Sequence, residues 1–408
     1  MNNAIARANK TRIMLPLALA LAIIVLVILT ITNINYAEDN PGGADFIPRW
    51  LGVRLLFTEG DSPYSQATTQ AIQEFMYGRP AKPGEDQALF VYPLYSFLVF
   101  TPFSLIADYE LVRGIWQTTL QIALILLVIF SIQLADWRPS MATLFLLSVF
   151  VLLWYHSVRP LINGNPSILV ALFTASALLA ISREQDIVAG VLLGLATIKP
   201  QVVVLLIPLV LIWALSKRRW RLIGSTLGTL FFFVILSTAL VPDWILQNVR
   251  QILAYPGYTP AATPATVFFE WWPAYGRWFG YLLTLVMSLL LLWCWNKAWR
   301  KEFKAFLLSA YATLTITTFI GISTATSSYI VLFPALVLVF AEWEKKYGRA
   351  GRWLVASTIL LILVGLWALF LTTKVGNFQN PIMFFPVPIF LIVALFLLQR
   401  QSDFFATE

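Results

Sequence analysis

Charge is what this sequence has least of: acidic and basic residues together make up 12% of its 408 positions. A water-soluble domain carries about 25%, so this chain has too few charges to coat a surface facing water. Cys294 is the only cysteine and His156 the only histidine. No disulfide can form within the chain, and thiolate clusters, metal sites and triads built on several histidines are excluded. No P-loop glycine run, dinucleotide fingerprint or zincin motif occurs either, which leaves nucleotide-driven transport unsupported.

Apolar length takes the place of charge. The chain is 59% hydrophobic, with a mean hydropathy of +0.78. Runs near the roughly 20 residues that cross a bilayer as helix recur along it. Spans are expected at 13–34, 88–107, 110–134, 140–158, 166–182, 186–215, 222–241, 276–296, 304–322, 328–343, 352–372 and 382–399. The first has no charge after Arg12 and no small-x-small cleavage site before Asn33, so it reads as an uncleaved span rather than a signal peptide. Within 186–215, Pro200 removes a backbone donor and crowds the preceding turn. We read that stretch as one crossing broken at Lys199-Pro200.

The expected fold is therefore an all-α polytopic membrane protein, a bundle of about twelve transmembrane helices with both termini inside. The net charge of +8 does not imply a nucleic-acid partner, because the basic residues sit in short clusters between apolar runs. These are Arg7/Lys10/Arg12, Lys217/Arg218/Arg219/Arg221, Lys297/Arg300/Lys301/Lys304 and Lys345/Lys346/Arg349/Arg352. Twelve crossings put all four on the cytoplasmic side, in accord with the positive-inside bias. The localisation expected is the cell membrane, multi-pass.

Two loops then face outward. Residues 36–87 hold eight of the twenty acidic residues against four basic ones. Residues 242–275 hold Trp244, Tyr255, Tyr258, Trp271, Trp272 and Pro256, Pro260, Pro264 and Pro273. Aromatics with a polar tip favour the headgroup layer, so the second loop is expected along the membrane surface. In the first loop, Phe46, Trp50, Val53 and Phe57 recur at helical spacing while Asp45, Arg49 and Gly52 fall on another face. This predicts an interfacial helix with its apolar side in lipid. Asp45 near its start has two readings, a helix N-cap or a carboxylate held at the membrane surface for chemistry. Glu59–Tyr64 reads as a turn, and Tyr92 before Pro93 as an interfacial anchor.

Lys199 is the sharpest physical signal. A lysine inside an apolar stretch costs about 2.5–3.5 kcal/mol on insertion scales, so it should face a cavity or an anion. A buried phosphate would satisfy it, and snorkelling to a helix end is the alternative. The turn at Leu161–Pro166, LINGNP, offers Asn163 and Asn165 as caps. His156, near Arg159, reads as a satisfied interfacial residue, and Arg277 as either a headgroup ligand or a helix anchor.

These residues come in a recognisable order: Asp45-Phe46, Gly60-x-x-Pro63-Tyr64, Phe90-Val91-Tyr92-Pro93 with Pro102, and the Gly164-Asn165 turn. Then follow Ala189-Gly190-x-x-x-Gly194-Leu195-Ala196-x-x-Lys199-Pro200 and the basic cluster at 217–221. The order resembles the integral-membrane glycosyltransferases of the GT-C superfamily, particularly glycosyltransferase family 87, over roughly residues 13–225. That family includes polyprenol-phosphate-mannose-dependent mannosyltransferases. Two departures stand out. Relatives often have Gly-Gln at Gly164-Asn165, and a serine-plus-histidine or Tyr-Asp motif where this chain has Ser323–Tyr329, STATSSY.

The resemblance implies a GT-C-type helical bundle, with a GT-C-like module at 13–241 including the first outer loop 36–87. The second outer loop 242–275 and the C-terminal helices 276–399 follow within one membrane domain, 1–408. It implies a sugar (mannose or another hexose or pentose) carried on a polyprenyl phosphate, and an envelope lipid or glycan as acceptor on the extracytoplasmic face. Membrane lipids are the remaining partners, and no metal or other cofactor is needed if protein charges suffice. Asp45 matches the aspartate expected as general base. Lys199, Arg49 and Arg277 are the candidates for the donor phosphate, and Tyr64, Tyr92, Asn165 and Tyr329 for substrate. A lipid-linked-sugar flippase or secondary transporter is the competing class. Against it stand the lack of paired, symmetry-related broken helices and the scarcity of intramembrane charge.

Overall fold

A computed structural model describes residues 2–254, 264–320, 325–376 and 379–400. Of the residues singled out above, Tyr255, Pro256, Tyr258, Pro260, Ser323 and the side chains of Arg7, Lys10, Arg12 and Pro264 lie outside the described set. Every regular element described is helical. In chain order the α-helices are α1 (Asn2–Asp39), α2 (Ile47–Thr58), α3 (Gln66–Tyr77), α4 (Phe97–Ser104), α5 (Tyr109–Leu134) and α6 (Met141–Leu153). There follow α7 (Tyr155–Asn163), α8 (Ser167–Ser182), α9 (Asp186–Ala196), α10 (Pro200–Val203), α11 (Leu206–Ser216) and α12 (Trp220–Leu240). The last six are α13 (Trp244–Ala254), α14 (Pro264–Trp271), α15 (Gly276–Ala298), α16 (Phe303–Ile320), α17 (Phe333–Thr373) and α18 (Pro386–Gln399).

Among the described residues seven helical runs are long and apolar enough to cross a membrane, eight if α6 and α7 form one span bent by 46°. The chain is a multi-pass membrane protein. The shortfall from twelve has local causes. The stretch 88–107 is not one helix: Ala88 and Val91 have positive φ, and only the 3-10 turn Leu94–Ser96 and the eight residues of α4 are helical. Pro93 disfavours helix in the residue before it. The stretch 186–215 is divided into α9, α10 and α11. Segments 328–343 and 352–372 fall within the run Thr326–Thr373, which counts once among the seven, but they remain two helices divided at Gly348 (φ 56°, ψ −120°). There the chain turns so sharply that a side chain at Gly351 would strike the Trp343 carbonyl and Glu344.

α8 is the central helix, its side chains buried on almost every face, with α5, α9 and the 3-10 segment Thr326–Leu332 packed around it. α1, α12 and α15 carry the lipid-facing belts, including Leu21, Ile28, Phe231, Ile235, Leu285 and Leu292, all exposed. Small residues set the close crossings. On α9, a Cβ at Gly190 would meet the Thr226 backbone nitrogen at 2.6 Å and one at Gly194 would meet Thr229. The Gly-x-x-x-Gly spacing thus lets α12 approach backbone to backbone. On α5, Gly114 admits the Ile34 backbone of α1, where Asn33 donates to Thr118 (2.9 Å) and Gln121 (2.7 Å).

The first loop is folded onto this bundle. α2 does not lay its apolar side in lipid: Phe46, Trp50 and Val53 are buried in protein and only Phe57 stays exposed. Phe46 stacks on Trp116, Trp50 Nε1 donates to the Ile106 carbonyl (3.0 Å) and Arg54 to the Ser104 carbonyl (2.9 Å). The supposed polar face is buried too, since Arg49 and Gly52 lie inside. α3 is capped by Ser65, which accepts from Thr68 N–H, and ends at Gly78 in the left-handed region. An Arg79–Glu85 ion pair of 2.8 Å closes the segment after it.

Candidate functional site

The break after α9 places Lys199 in the protein interior. Thr197 turns its hydroxyl back to the Gly194 carbonyl (2.5 Å), and Tyr95 OH donates to the Thr197 carbonyl (3.2 Å). Lys199 occupies the cap position of α10 with non-helical backbone (φ −128°, ψ 77°), and Pro200 begins that helix. Its side chain is 4% exposed. The ammonium donates to Asn165 Oδ1 at 3.0 Å and to Ser167 Oγ at 2.7 Å. An ammonium has three N–H donors, so one is left for an incoming acceptor. This lysine does not snorkel.

The LINGNP turn supplies both acceptors. α7 ends at Gly164 in the left-handed region (φ 70°), where a Cβ would press on Phe46 and Trp116, so the position requires glycine. Trp116 Nε1 donates to the Gly164 carbonyl (2.9 Å). Asn165 then accepts from the Ser167 N–H (3.0 Å) and hydroxyl (2.6 Å) with the same oxygen that holds Lys199, one residue before the Pro166 cap of α8. Ser167 Oγ also lies 3.4 Å from Ser328 Oγ, which brings STATSSY to the edge of the cluster. Nothing in the sequence singled out Ser167, because a serine at a helix start looks like an ordinary cap.

Asp45 and Arg49 complete the constellation. Both charges act electrostatically on Lys199, Asp45 the more strongly. Asp45 is half-buried, and its backbone N–H donates to the Asn163 carbonyl (3.0 Å), which ties it to the end of α7. It is not the cap of α2: Phe46 occupies that position and no side chain caps it. Arg49 is buried with its guanidinium 4.1 Å from the Tyr92 ring centre, and its Nε has no hydrogen-bond partner among the described residues. The salt bridges found among those residues involve neither Arg49 nor Lys199. Two buried cations without an ion-pair partner are costly, and an anion between them would relieve that cost.

The remaining candidates fall at different distances from this centre. Tyr92 is buried in protein under Arg49 rather than exposed as an anchor, and its carbonyl accepts from Tyr64 OH (2.5 Å) and Asn248 (3.0 Å). Burial, with Tyr95 adding to it, pushes the Tyr64 phenol well above its usual value, so it stays protonated and donates. Gln251 of α13 reaches the Tyr64 carbonyl (3.2 Å) and accepts from Val91 N–H (3.1 Å). α13 therefore turns its amides inward while Ile245, Leu246, Val249 and Leu253 stay exposed. Tyr329 is buried against the His156 ring, with its hydroxyl on the Phe384 carbonyl (3.1 Å). Arg277 is exposed and lies over Phe269, with no contact to the cluster among the described residues.

The sequence model of glycosyltransferase family 87 matches residues 90–321, more than half of the 408 residues. The matched stretch contains Asn165, Ser167 and Lys199, and begins after Asp45 and Arg49. No curated protein and no solved structure matches the chain.

Proposed function

Because the chain belongs to glycosyltransferase family 87, we propose that it transfers a sugar from a polyprenyl-phosphate donor to an envelope lipid or glycan on the extracytoplasmic face, with Asp45 as general base. The sugar is mannose or another hexose or pentose. The observation that carries this reading is the pair of buried cations Lys199 and Arg49, neither in a salt bridge among the described residues, with the Asp45 carboxylate acting on Lys199.

In this scheme an acceptor hydroxyl attacks the anomeric carbon and gives its proton to Asp45. The new oxygen–carbon bond forms as the bond from that carbon to the phosphate oxygen breaks, and its electron pair leaves on the polyprenyl phosphate. Lys199 and Arg49 stabilise the negative charge that develops there. Asn165 and Ser167 hold the ammonium in place, and Tyr92 stacks on the guanidinium. Arg277, which lies over Phe269 and makes no contact with the cluster among the described residues, is assigned no part in it.

The test is transfer of labelled sugar from polyprenyl-phosphate mannose and its glucose and arabinose counterparts to a cell-envelope extract, by the chain in liposomes. Asp45→Asn should lose transfer while still folding and still binding donor. Full activity in that variant removes Asp45 from the mechanism. Movement of a solute without bond formation would favour the transporter reading instead.

A further inference from the structure

The bend between α6 and α7 gathers polar atoms that the scheme above does not use. Trp154 breaks the helix with extended backbone (ψ 137°). Over the next residues, Trp154 Nε1, His156 Nδ1 and Ser157 Oγ are all buried without a hydrogen-bond partner among the described residues. His156 is 1% exposed and Ser157 fully buried. Buried polar groups are paired in more than about 90% of cases, so three orphans within four consecutive residues call for a ligand or ordered water.

Their chemistry and surroundings narrow the ligand. His156 sits among three aromatic rings, Trp154 at 5.0 Å, Tyr155 at 5.3 Å and Tyr329 at 5.1 Å between centres. Of its two ring nitrogens, Nδ1 is buried with no partner among the described residues. The indole N–H only donates, whereas the serine hydroxyl both donates and accepts. No carboxylate or guanidinium is among the three, so the patch suits neutral hydroxyls, each of which donates and accepts. Flat aromatic walls with a few mixed hydrogen-bonding groups match the alternating apolar faces and hydroxyl edges of a sugar ring.

The patch also stands beside the phosphate-type cluster. Tyr329, against His156, directly follows Ser328, whose hydroxyl meets Ser167, and Ser167 holds Lys199. At the other end of α7, the Asn163 carbonyl receives the Asp45 N–H. A ligand with an anionic end at Lys199 and a hydroxyl-rich ring next to it would span both.

We propose that Trp154, His156 and Ser157 form the subsite that recognises the ring hydroxyls of the donor's sugar. This rests on the reading of the chain as a lipid-phosphate-sugar transferase. His156 and Ser157 act in recognition and do not move the reacting proton.

The experiment compares binding of polyprenyl-phosphate mannose, glucose and arabinose with that of bare polyprenyl phosphate to the full-length chain in liposomes. The unaltered chain should bind at least one sugar-bearing lipid more tightly than the bare lipid. His156→Ala and, separately, Ser157→Ala should each cut that preference about tenfold, the value of one good hydrogen bond. Lys199→Met should weaken both kinds of lipid alike and leave the preference intact. Ser157→Ala removes a single atom, so it keeps the test open if His156→Ala does not fold. An unchanged preference in both variants would mean the orphans hold ordered water only, and would overturn the proposal. A raised acceptor KM with unchanged donor preference would move the patch to the acceptor's side and overturn it equally. If the unaltered chain binds neither sugar-bearing nor bare lipid, the transferase reading itself falls. If it binds them equally, only the subsite does.

Discussion

The Asn165 oxygen that accepts from the Ser167 N–H at the start of α8 is the same atom that holds the Lys199 ammonium, at 3.0 Å from each nitrogen. Local folding and electrostatic placement are thereby fixed by one side chain. The turn orients the amide and the amide orients the cation.

Substitutions at Asn165 should separate these two duties. Asn165→Ala loses the hydrogen bond from the Ser167 N–H, at about 1 kcal/mol, and loosens Lys199, so Tm falls and the donor KM rises together. Asn165→Asp keeps an oxygen acceptor there but sets a carboxylate beside the ammonium. The expected result is unchanged or higher Tm with donor binding lost, because the new ion pair competes with phosphate. Thermal unfolding and a donor-binding isotherm on the same preparations check both.

Lys199→Met should cost little stability. A buried cation without an ion pair is expensive to hold, and methionine covers a similar volume, so we expect a change within about 1 kcal/mol. Donor binding should fall at least tenfold. A large drop in Tm with donor affinity intact would make Lys199 structural.

The two glycines of α9 should differ in kind. At Gly190 an added Cβ meets the Thr226 backbone nitrogen, which cannot rotate away; at Gly194 it meets the Thr229 side-chain methyl at 2.5 Å. Gly190→Ala should therefore destabilise by about 1–3 kcal/mol, and Gly194→Ala by less. Activity should fall in step with Tm, since both positions lie on the helix that leads to Lys199.

Acid should weaken the segment after α3 through the Arg79–Glu85 pair. The Arg79 guanidinium, with the Lys82 N–H, lowers the Glu85 carboxyl from 4.5 to about 2. A depressed carboxyl contributes above its unfolded value, and that contribution is lost as pH falls from about 4.5 through about 2. Glu85→Gln should remove the dependence. Hydrogen exchange at the Lys82 amide across this pH range, in both forms, provides the measurement.

Lys199 was legible from the sequence because a charge in an apolar run beside proline has few peaceful explanations. Its partners were not. Asn165 read as a cap, yet Pro166 holds that position in α8 with no side-chain cap bond, and Asn165 lies one residue earlier with its oxygen on Ser167 and Lys199. Ser167 carried no signal at all, since hydrogen bonds across 32 positions leave no periodic trace. Hydropathy also cannot say what an apolar face touches. α2 was expected in lipid because Phe46, Trp50 and Val53 share a stripe, yet protein aromatics cover that stripe. The stretch 88–107 read as a span on composition, while the proline and two residues of positive φ keep half of it irregular. The multi-pass helical character survived these errors because it rests on summed hydropathy rather than on any one boundary.

The inside-out polarity of α13 has a consequence for handling the protein. Asn248 and Gln251 clasp the backbone at Tyr92, Val91 and Tyr64, and the opposite flank exposes Ile245, Leu246, Val249 and Leu253 with Arg250 the one charge among them. Such a helix keeps its place because the medium outside is oily, so the solvent acts as a fastener for the floor beneath Arg49. Replacing lipid by short-chain detergent would slacken that fastener without touching a residue of the cluster, and catalytic competence would then report on the surrounding amphiphile as much as on the chain.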